Sequence, residues 1–404
     1  MDDFKGIPYL KNKLSYKKNR TRLRYQYYEM KTRARDFGIS SPPDLRGWMS
    51  ILGWCARSVD CLADRLVFRE FRDDIFNLNS IYDSNNKDVL IDSAILGALI
   101  SACDFIYITA DEDGFPRMRV IDGRHATGII DPTTNLLKEG YAVLEFDDRD
   151  RPVTEAYFLP GETQIFEAGK EPYSVFNPAP YPLLVPVIYR PDAVRPFGHS
   201  RISRACMSIV DSAARTVKRS EIAAEFYSYP QKYILGMDPD ADRMEKWQAS
   251  MSSLLQIDKD EDGDKPTAGQ FQQAAMTPHT EQLRMFAGMF AGETGLTLDD
   301  LGFPSQNPSS SEAIRAAHET LRLMARKAQR DFGVGLLNAG YLAACVRDDQ
   351  PYLRRQLYRT KAVWAPIFEP DVTALGGIGD AVQKIQTSFP DYFDEDKLEE
   401  LTGI

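Results

Sequence analysis

Apolar residues recur at helical spacing in the first quarter of the chain. Arg20–Phe37 is predicted to be a helix with interleaved tyrosines, ended by Gly38 and the Ser-Ser-Pro-Pro run that follows. Asp44 is then expected to cap a longer helix, whose apolar positions recur every three or four residues as far as Leu66. Another helix is predicted over Asp92–Ala102.

Between Phe105 and Arg190 the apolar pattern changes to short alternating runs. The runs are separated by turn signals such as Asp113-Gly114 and Pro160-Gly161, which is typical of antiparallel strands. Six strands are predicted, over Phe105–Thr109, Arg117–Ile121, Tyr141–Phe146, Thr154–Leu159, Gln164–Glu167 and Leu183–Tyr189.

Two further helices bracket a polar insert. The first is predicted over Ser200–Tyr227 and the second over Thr280–Ala291. The insert, residues 231–278, is expected to hold a short strand at Tyr233–Leu235 and a short helix at Pro239–Leu254.

A loop rich in Gly, Pro, Ser and Asn, residues 295–308, follows the second of these helices. The next helix is expected to be long, to start with a capping box from Ser309 to Glu312, and to kink at Gly333-Val334-Gly335. A strand at Lys361–Trp364 and an acidic helix from Gly379 close the chain. The mixture of helices and antiparallel strands predicts an α+β fold.

Composition excludes several classes of protein. With 404 residues, 43% hydrophobic and 27% charged, the chain can bury real cores and is not a collagen, a rod or a disordered tail. At about 150 residues per domain, two or three domains are expected. Five scattered cysteines predict reduced thiols in an intracellular protein. The longest largely apolar run, Ala94–Cys103, is too short for a bilayer span of roughly 20 residues. With no signal peptide at the start, a soluble protein made in the cytosol is expected.

Charge is distributed unevenly. The net charge is −10, but residues 1–40 carry +7 and the tail from Ala365 to Ile404 carries −7. Tight nucleic-acid binders are usually basic over the whole domain, which this chain is not. Two interpretations of the basic N-terminus stay open: contact with nucleic acid, or a helix surface that faces solvent or another subunit.

No motif predicts a catalytic, metal or cofactor site. The four histidines are far apart in sequence and have no metal-ligand spacing. Asp258–Gly263 begins like a calcium loop, but Gly269 stands where a bidentate carboxylate is required and Pro266 interrupts the loop. The glycine clusters form no phosphate loop or dinucleotide fingerprint, and no nucleophile elbow is present.

The order of several segments resembles the portal proteins of tailed bacteriophages, in particular the smaller portals related to the Bacillus phage connector. The resemblance extends in weaker form over most of the chain. The segments that carry it are Arg195–Arg204, the helix through Ala214, Arg219, Ser220, Ala223 and Ala224, Tyr229–Gly236, Gly295–Gly302 and Asn307–Ile314.

The resemblance implies a ring-forming subunit, commonly in a dodecamer, with a helical and β wing, two stem helices flanking a small clip, a long kinked wing helix and a short crown. The implied parts are wing 1–198, stem helix 199–227, clip 228–278, stem helix 279–294, tunnel loop 295–308, wing 309–370 and crown 371–404.

The resemblance also implies which residues meet DNA and partners. The stem candidates at the channel surface are Arg215, Lys218 and Arg219; the alternative for all three is salt bridges between neighbouring stem helices. The tunnel-loop candidates are Asp299, Asp300, Ser305, Gln306, Asn307 and Ser309, whose weak polar contacts suit sliding DNA. The clip candidates for partner docking are Asp238, Asp240, Arg243, Lys246 and Trp247.

The implied function is a passage for double-stranded DNA at one capsid vertex, with no enzymatic activity and no cofactor. Implied partners are the terminase large subunit, then a head-completion or adaptor protein, and the major capsid and scaffolding proteins, with no membrane. The implied location is the virion, and the host cytoplasm during assembly. Two alternatives remain: another oligomeric head-tail adaptor or minor head protein, or a cytosolic enzyme with a site built from carboxylates.

Overall fold

A computed structural model describes residues 4–37, 45, 47–228, 232–235, 267–270, 275–304, 311–368, 372–390, 392–394 and 398. Helices and antiparallel sheets occur together in this part of the chain, which confirms the predicted α+β class. The chain divides into two compact units. Unit 1 comprises Met1–Thr32, Gly53–Met207 and Ala291–Ile404, and unit 2 comprises Arg33–Leu52 and Ser208–Phe290.

The first helix lies earlier in the chain than predicted. Helix α1 spans Ile7–Tyr28, so the predicted helix over Arg20–Phe37 is wrong at both ends. A proline in the first turn fits a helix start, where the missing N–H has no intrahelical partner to lose. Leu10 and Leu14, four residues apart, are the apolar contacts that fix α1 on the β segment. They pack with Tyr141, Val143 and Tyr157.

The second helix is shorter than predicted. Helix α2 spans Trp54–Ala63, and residues 47–53 are not helical, so the prediction of a helix from Asp44 to Leu66 is wrong at both ends. Asp44 itself lies outside the described residues. Trp48 has the right spacing for the helix but is 56% exposed. Helix α3 spans Leu78–Asp83, and α4 spans Lys87–Ser101.

All six strands predicted between 105 and 190 are present, each within four residues of its predicted ends. Every pairing in this segment is antiparallel, as predicted. The strands of unit 1 before residue 190 are β1 (Phe68–Arg72), β2 (Cys103–Ala110), β3 (Pro116–Ile121), β4 (Ala126–Ile130), β5 (Leu137–Phe146), β6 (Pro152–Leu159), β7 (Glu162–Glu167), β8 (Tyr173–Phe176) and β9 (Leu184–Ile188).

Strands β4 to β8 form one five-stranded sheet in chain order, and β2 lies between β3 and β9 in a three-stranded sheet. Inward-facing positions match across neighbouring strands; for example Ala156 of β6 pairs with Ile165 of β7, and both are buried. Helix α1 rests on the larger sheet and α4 on the smaller one, which gives unit 1 its core.

The helices after residue 200 also follow the prediction. Helix α5 spans Arg204–Ser228, strands β10 (Lys232–Leu235) and β11 (Thr267–Gln270) pair antiparallel, and α6 spans Thr277–Thr294. The predicted clip helix at Pro239–Leu254 lies outside the described residues.

The predicted long helix is divided by an interruption at His318. Helix α7 spans Ser311–Ala317 and α8 spans Glu319–Arg347, which runs without a break through Gly333 and Gly335. Ser309 of the predicted capping box lies outside the described residues. Strand β12 (Lys361–Trp364) pairs with β1, and helix α9 (Val372–Ser388) begins seven residues before the predicted Gly379.

None of the described helices is both long and apolar enough to cross a bilayer. The five cysteines all lie in the described part, where they are buried and form no disulfide.

Gly198, within the segment that carries the family resemblance, is predicted to tolerate no side chain. Its φ is +73°, and an added Cβ would lie 2.1 Å from the carbonyl oxygen of Tyr189. We expect Gly198→Ala to lower the free energy of unfolding by roughly 3 kcal/mol, because left-handed strain adds to a backbone clash. Gly169→Ala is the matched control, since Gly169 has φ +81° but open space around it. The measurement is thermal unfolding. An equal loss of stability in Gly198→Ala and Gly169→Ala would contradict the predicted clash.

Candidate functional site

The loop that follows α6 begins with a tight polar turn in unit 1. The backbone N–H and the hydroxyl of Thr297 both donate to Asp300 Oδ2 at 2.9 Å, and the N–H of Asp300 donates back to Thr297 Oγ1 at 3.2 Å. These reciprocal bonds resemble those of a capping box, and they connect Thr297 to the middle of a single 3₁₀ turn, Asp299–Leu301. Leu296 and Leu301 are buried on either side, so the turn is fixed to the body of unit 1.

Asp300 also joins the two sides of the predicted tunnel loop. Its carboxylate lies 3.2 Å from His318 Nε2, and the two side chains are only 13% and 15% exposed. Partial burial by itself raises the pKa of Asp300, but the hydrogen bonds from Thr297 and His318 outweigh it and hold that pKa below its usual range. Since His318 precedes α8, this contact fixes the chain before and after residues 301–317.

The tunnel-loop candidates therefore have different surroundings. Asp299 is exposed. The carboxylate of Asp300 accepts a hydrogen bond from Thr297 and contacts His318. Ser305, Gln306, Asn307 and Ser309 lie outside the described residues.

Arg201 supports the end of α6 and was not singled out by sequence reasoning. It is buried, and its Nη2 donates to the carbonyl of Thr294, the last residue of α6, at 2.6 Å. A cation at this place satisfies an orphan carbonyl and opposes the negative end of the helix dipole. Its Nε donates to the carbonyl of Ser58 in α2 at 3.0 Å, and its Nη1 lies 3.1 Å from the sulfur of Met324 in α8. The guanidinium of Arg201 thus contacts α2, α6 and α8 at the point where the loop after α6 begins.

In unit 2, the strap, formed by residues 33–37 and 47–52, contacts α5. Lys218, one of the stem candidates, is only 7% exposed, and its Nζ lies 2.6 Å from Oδ2 of Asp36 in the strap. Lys218 is therefore paired within its own chain. Whether it also faces a channel or a neighbouring stem helix remains a prediction.

The other two stem candidates are partly exposed. The Arg215 guanidinium lies 4.7 Å from the ring centroid of Phe37 in the strap and donates to Ser212 Oγ at 2.8 Å. Arg219 is half-buried. The strap is further tied to α5 by Glu221, which accepts hydrogen bonds from Trp48 Nε1 at 2.9 Å and Ser50 Oγ at 2.5 Å.

Helix α6 presents apolar side chains to solvent within unit 2. Met285 and Met289, one turn apart on one face, are each 53% exposed. Elsewhere α5 and α6 are joined by a hydrogen bond, which the hydroxyl of Thr216 in α5 donates to Gln282 Oε1 in α6 at 3.0 Å. An exposed methionine row is typical of a surface that another protein covers.

The clip candidates Asp238, Asp240, Arg243, Lys246 and Trp247 lie outside the described residues. The β10–β11 ladder brings residues 235 and 267 together, so the chain leaves and re-enters this segment at one place. Among the described residues, no group of three or more His, Cys, Asp or Glu side chains could hold a metal ion.

The class of protein that this chain resembles is the phage portal protein, and two curated relatives confirm the predicted resemblance. It is 26% identical over 319 residues to the portal protein of Mycobacterium phage L5, and 24% identical over 330 residues to that of Mycobacterium phage D29. The matches cover 73% and 76% of this chain but only 65% and 67% of those relatives. No family model matches the sequence.

Solved structures of similar fold come from the necks of GTA particles. One, of a native particle computed with C12 symmetry, is 16% identical, covers 94% of this chain and 98% of that chain, and has a TM-score of 0.48. Another, of an empty particle computed with C6 symmetry, is 16% identical, with 87% and 90% coverage and a TM-score of 0.46.

Proposed function

We propose that this chain is the subunit of a phage portal, the ring at one capsid vertex through which double-stranded DNA is packaged and ejected. The observation that carries the proposal is the similarity to two proteins named portal protein over 73% and 76% of this chain. Neither name denotes an enzyme, and we propose that the chain has no enzymatic activity of its own.

The two helices around the insert support a stem. Helix α5 has 25 residues and α6 has 18, so they are roughly 37 and 27 Å long. We assign 199–227 and 279–294 to the stem, 228–278 to the clip between them, and 295–308 to the tunnel loop. Residues 1–198 and 309–370 form the wing, and 371–404 a short crown.

Exposed apolar side chains on α6 support closure into a ring. A ring requires two different surfaces that meet head to tail on successive copies. Met285 and Met289 offer one such surface on the stem, and burying them against the next copy removes apolar area from water. A dodecamer is the expected assembly.

Charge supports a channel that lets DNA slide. Each Lys or Arg contact with a phosphate adds to a salt-dependent affinity, so a channel should carry few of them. Three features limit the affinity of such a channel for DNA phosphates. They are the net charge of −10, the exposed carboxylate of Asp299 and the pairing of Lys218 within its own chain.

The partners follow from this role. The clip would dock the terminase large subunit during packaging and a head-completion or adaptor protein afterwards, while the wing would meet the major capsid and scaffolding proteins. The energy for translocation would come from the motor. The protein would assemble in the host cytoplasm and remain in the virion, at the capsid vertex.

End-on electron microscopy of the purified protein tests the proposal directly. We expect rings with a central opening wide enough for a DNA duplex. A single subunit at every protein concentration, or a ring with a narrower opening, would reject it.

We predict that Asp299→Lys slows DNA packaging several-fold at low salt. Every copy in the ring would add a cation at the loop and so increase the affinity for DNA phosphates. The reduction in packaging rate should become smaller as the salt concentration rises. The measurement is the packaging rate over a series of salt concentrations. Glu112→Lys is the matched control, since Glu112 is exposed in the β2–β3 turn. A normal rate for Asp299→Lys, or the same defect in the control, would contradict a DNA-facing Asp299.

A further inference from the structure

A cavity of about 620 Å³ lies in unit 1, and no residue of the proposed stem or tunnel loop lines it. Its walls come from the end of α1, from α4 and from the start of β2 together with β3. Tyr25, Val89, Leu96, Gly97 and Asp104 are among its lining residues.

Asp104 directs an unpartnered oxygen at this cavity. The residue is only 2% exposed, and its Oδ1 accepts hydrogen bonds from Ser101 Oγ at 2.7 Å and from the N–H of Gly123 at 3.0 Å. Both hydrogen bonds of the carboxylate go to Oδ1, and Oδ2 has no hydrogen-bond partner among the residues that the structure describes. A Cβ built on Gly97 would lie 1.8 Å from Oδ2, so the missing side chain at 97 leaves room for this oxygen at the cavity wall.

The other two carboxylates on the cavity wall have cationic partners. Asp122 is bonded to Arg124 at 3.0 Å and paired with His125 at 3.2 Å, and Glu29 is paired with Lys31 at 2.6 Å. The guanidinium of Arg119, also on the wall, donates to the carbonyl of Leu144 at 2.8 Å. Of the three carboxylates on the wall, Asp104 is the one with no cation in salt-bridge contact among the described residues.

A buried carboxylate with a free oxygen favours a cationic ligand. The wall also carries the alkyl side chains of Val89 and Leu96 and the ring of Tyr25, which suit an aliphatic chain and a cation over an aromatic face. No described group of three His, Cys, Asp or Glu side chains could hold a metal here. An organic cation therefore fits better than a metal ion.

We propose that this cavity binds an ammonium or guanidinium group carried on a short aliphatic chain, with Asp104 Oδ2 as its acceptor. The cation could belong to a free diamine or to a Lys or Arg side chain of another polypeptide. The proposal is independent of the portal function, because no residue of the stem or the tunnel loop takes part.

Calorimetric titration of the purified protein with agmatine tests the site. We expect saturable binding to the wild type and a loss of about 10-fold or more in affinity for Asp104→Asn, which keeps the oxygen that Ser101 and Gly123 contact. Asp92→Asn is the matched control, since Asp92 is exposed on α4 and does not line the cavity. No binding by the wild type, or equal affinity in Asp104→Asn, would overturn the proposal.

The same titration over a pH series covers the case in which Asp104→Asn does not fold. Burial raises the pKa of Asp104 to about 7, with Asp122 also raising it and Ser101, Gly123 and Arg124 lowering it; Tyr25 and Cys103 are the other titratable neighbours. The wild type should therefore bind agmatine more tightly as the pH rises through about 7, because the carboxylate form accepts the cation. Binding that does not change with pH would contradict the role of Asp104.

N-acetyl-arginine methylamide, titrated in parallel, identifies the source of the cation. Tighter binding than agmatine indicates a side chain of another polypeptide, and weaker binding indicates a free diamine. Either order supports the site, provided that Asp104→Asn abolishes the difference.

Discussion

Replacing residues 236–266 with a two-residue Asn-Gly turn is expected to abolish DNA packaging while rings still form. Leu235 and Thr267 are direct partners in the β10–β11 ladder, so a tight hairpin turn can rejoin the chain without moving either strand. The replacement removes all five clip candidates, and under the proposed function the motor would then have no docking site. Packaging is measured as DNA-filled capsids after complementation of a phage that lacks the gene.

Two measurements separate docking from assembly. Cosedimentation of the purified ring with the terminase large subunit should be lost, whereas the size of the ring in electron micrographs should not change. A variant with only Trp247→Ala and Arg243→Ala keeps the segment and should weaken cosedimentation by a smaller factor. Normal packaging by the hairpin variant would contradict the clip assignment, and loss of the ring would show that the segment serves assembly instead.

The β segment and the paired helices were predictable because their signals are local. Alternation over a few residues and strong turn signals predicted six strands, β2, β3, β5, β6, β7 and β9, to within four residues, and the apolar face of α5 did the same for that helix. Strands β4 and β8 were not predicted. Gly128 and Gly140 interrupt the apolar alternation of the β4–β5 pair, and all four residues of β8 are exposed.

The errors at α1 and α2 come from contacts that the local pattern does not contain. Most of α1 is cationic and polar, and its place depends on Leu10 and Leu14 meeting the larger sheet. Trp48 matched the helical spacing by coincidence, since its indole N–H is used by Glu221, far along the chain. Packing partners distant in sequence decided both cases.

The contacts of the candidate site residues were only partly predictable from the sequence. The Thr297-x-x-Asp300 spacing is a local signal for reciprocal hydrogen bonds and would have separated Asp300 from Asp299. By contrast, the pairings of Lys218 with Asp36 and of Arg201 with Ser58 and Thr294 span long stretches of chain. A sequence gives no indication of which distant carbonyl a buried guanidinium will reach.

Arg201→Ala is expected to lower the free energy of unfolding by about 2–4 kcal/mol. The substitution leaves the carbonyls of Ser58 and Thr294 without their charged donor, and both bonds are buried. Arg201→Lys should recover less than half of the loss, since a single ammonium cannot reproduce the two donors of the fork. The midpoint of thermal unfolding is the first measurement.

The second measurement connects this residue to the loop. Because Arg201 secures the last turn of α6, its loss should also speed amide hydrogen exchange in residues 292–304, more than in the sheet of β4 to β8. Arg204→Ala is the matched control, since Arg204 is exposed at the start of α5. If Arg201→Ala unfolds and exchanges like the control, the guanidinium does not hold the loop. If exchange rises equally everywhere, its effect is on unit 1 as a whole, and the Thr297–Asp300 turn is then positioned by its own hydrogen bonds and by His318.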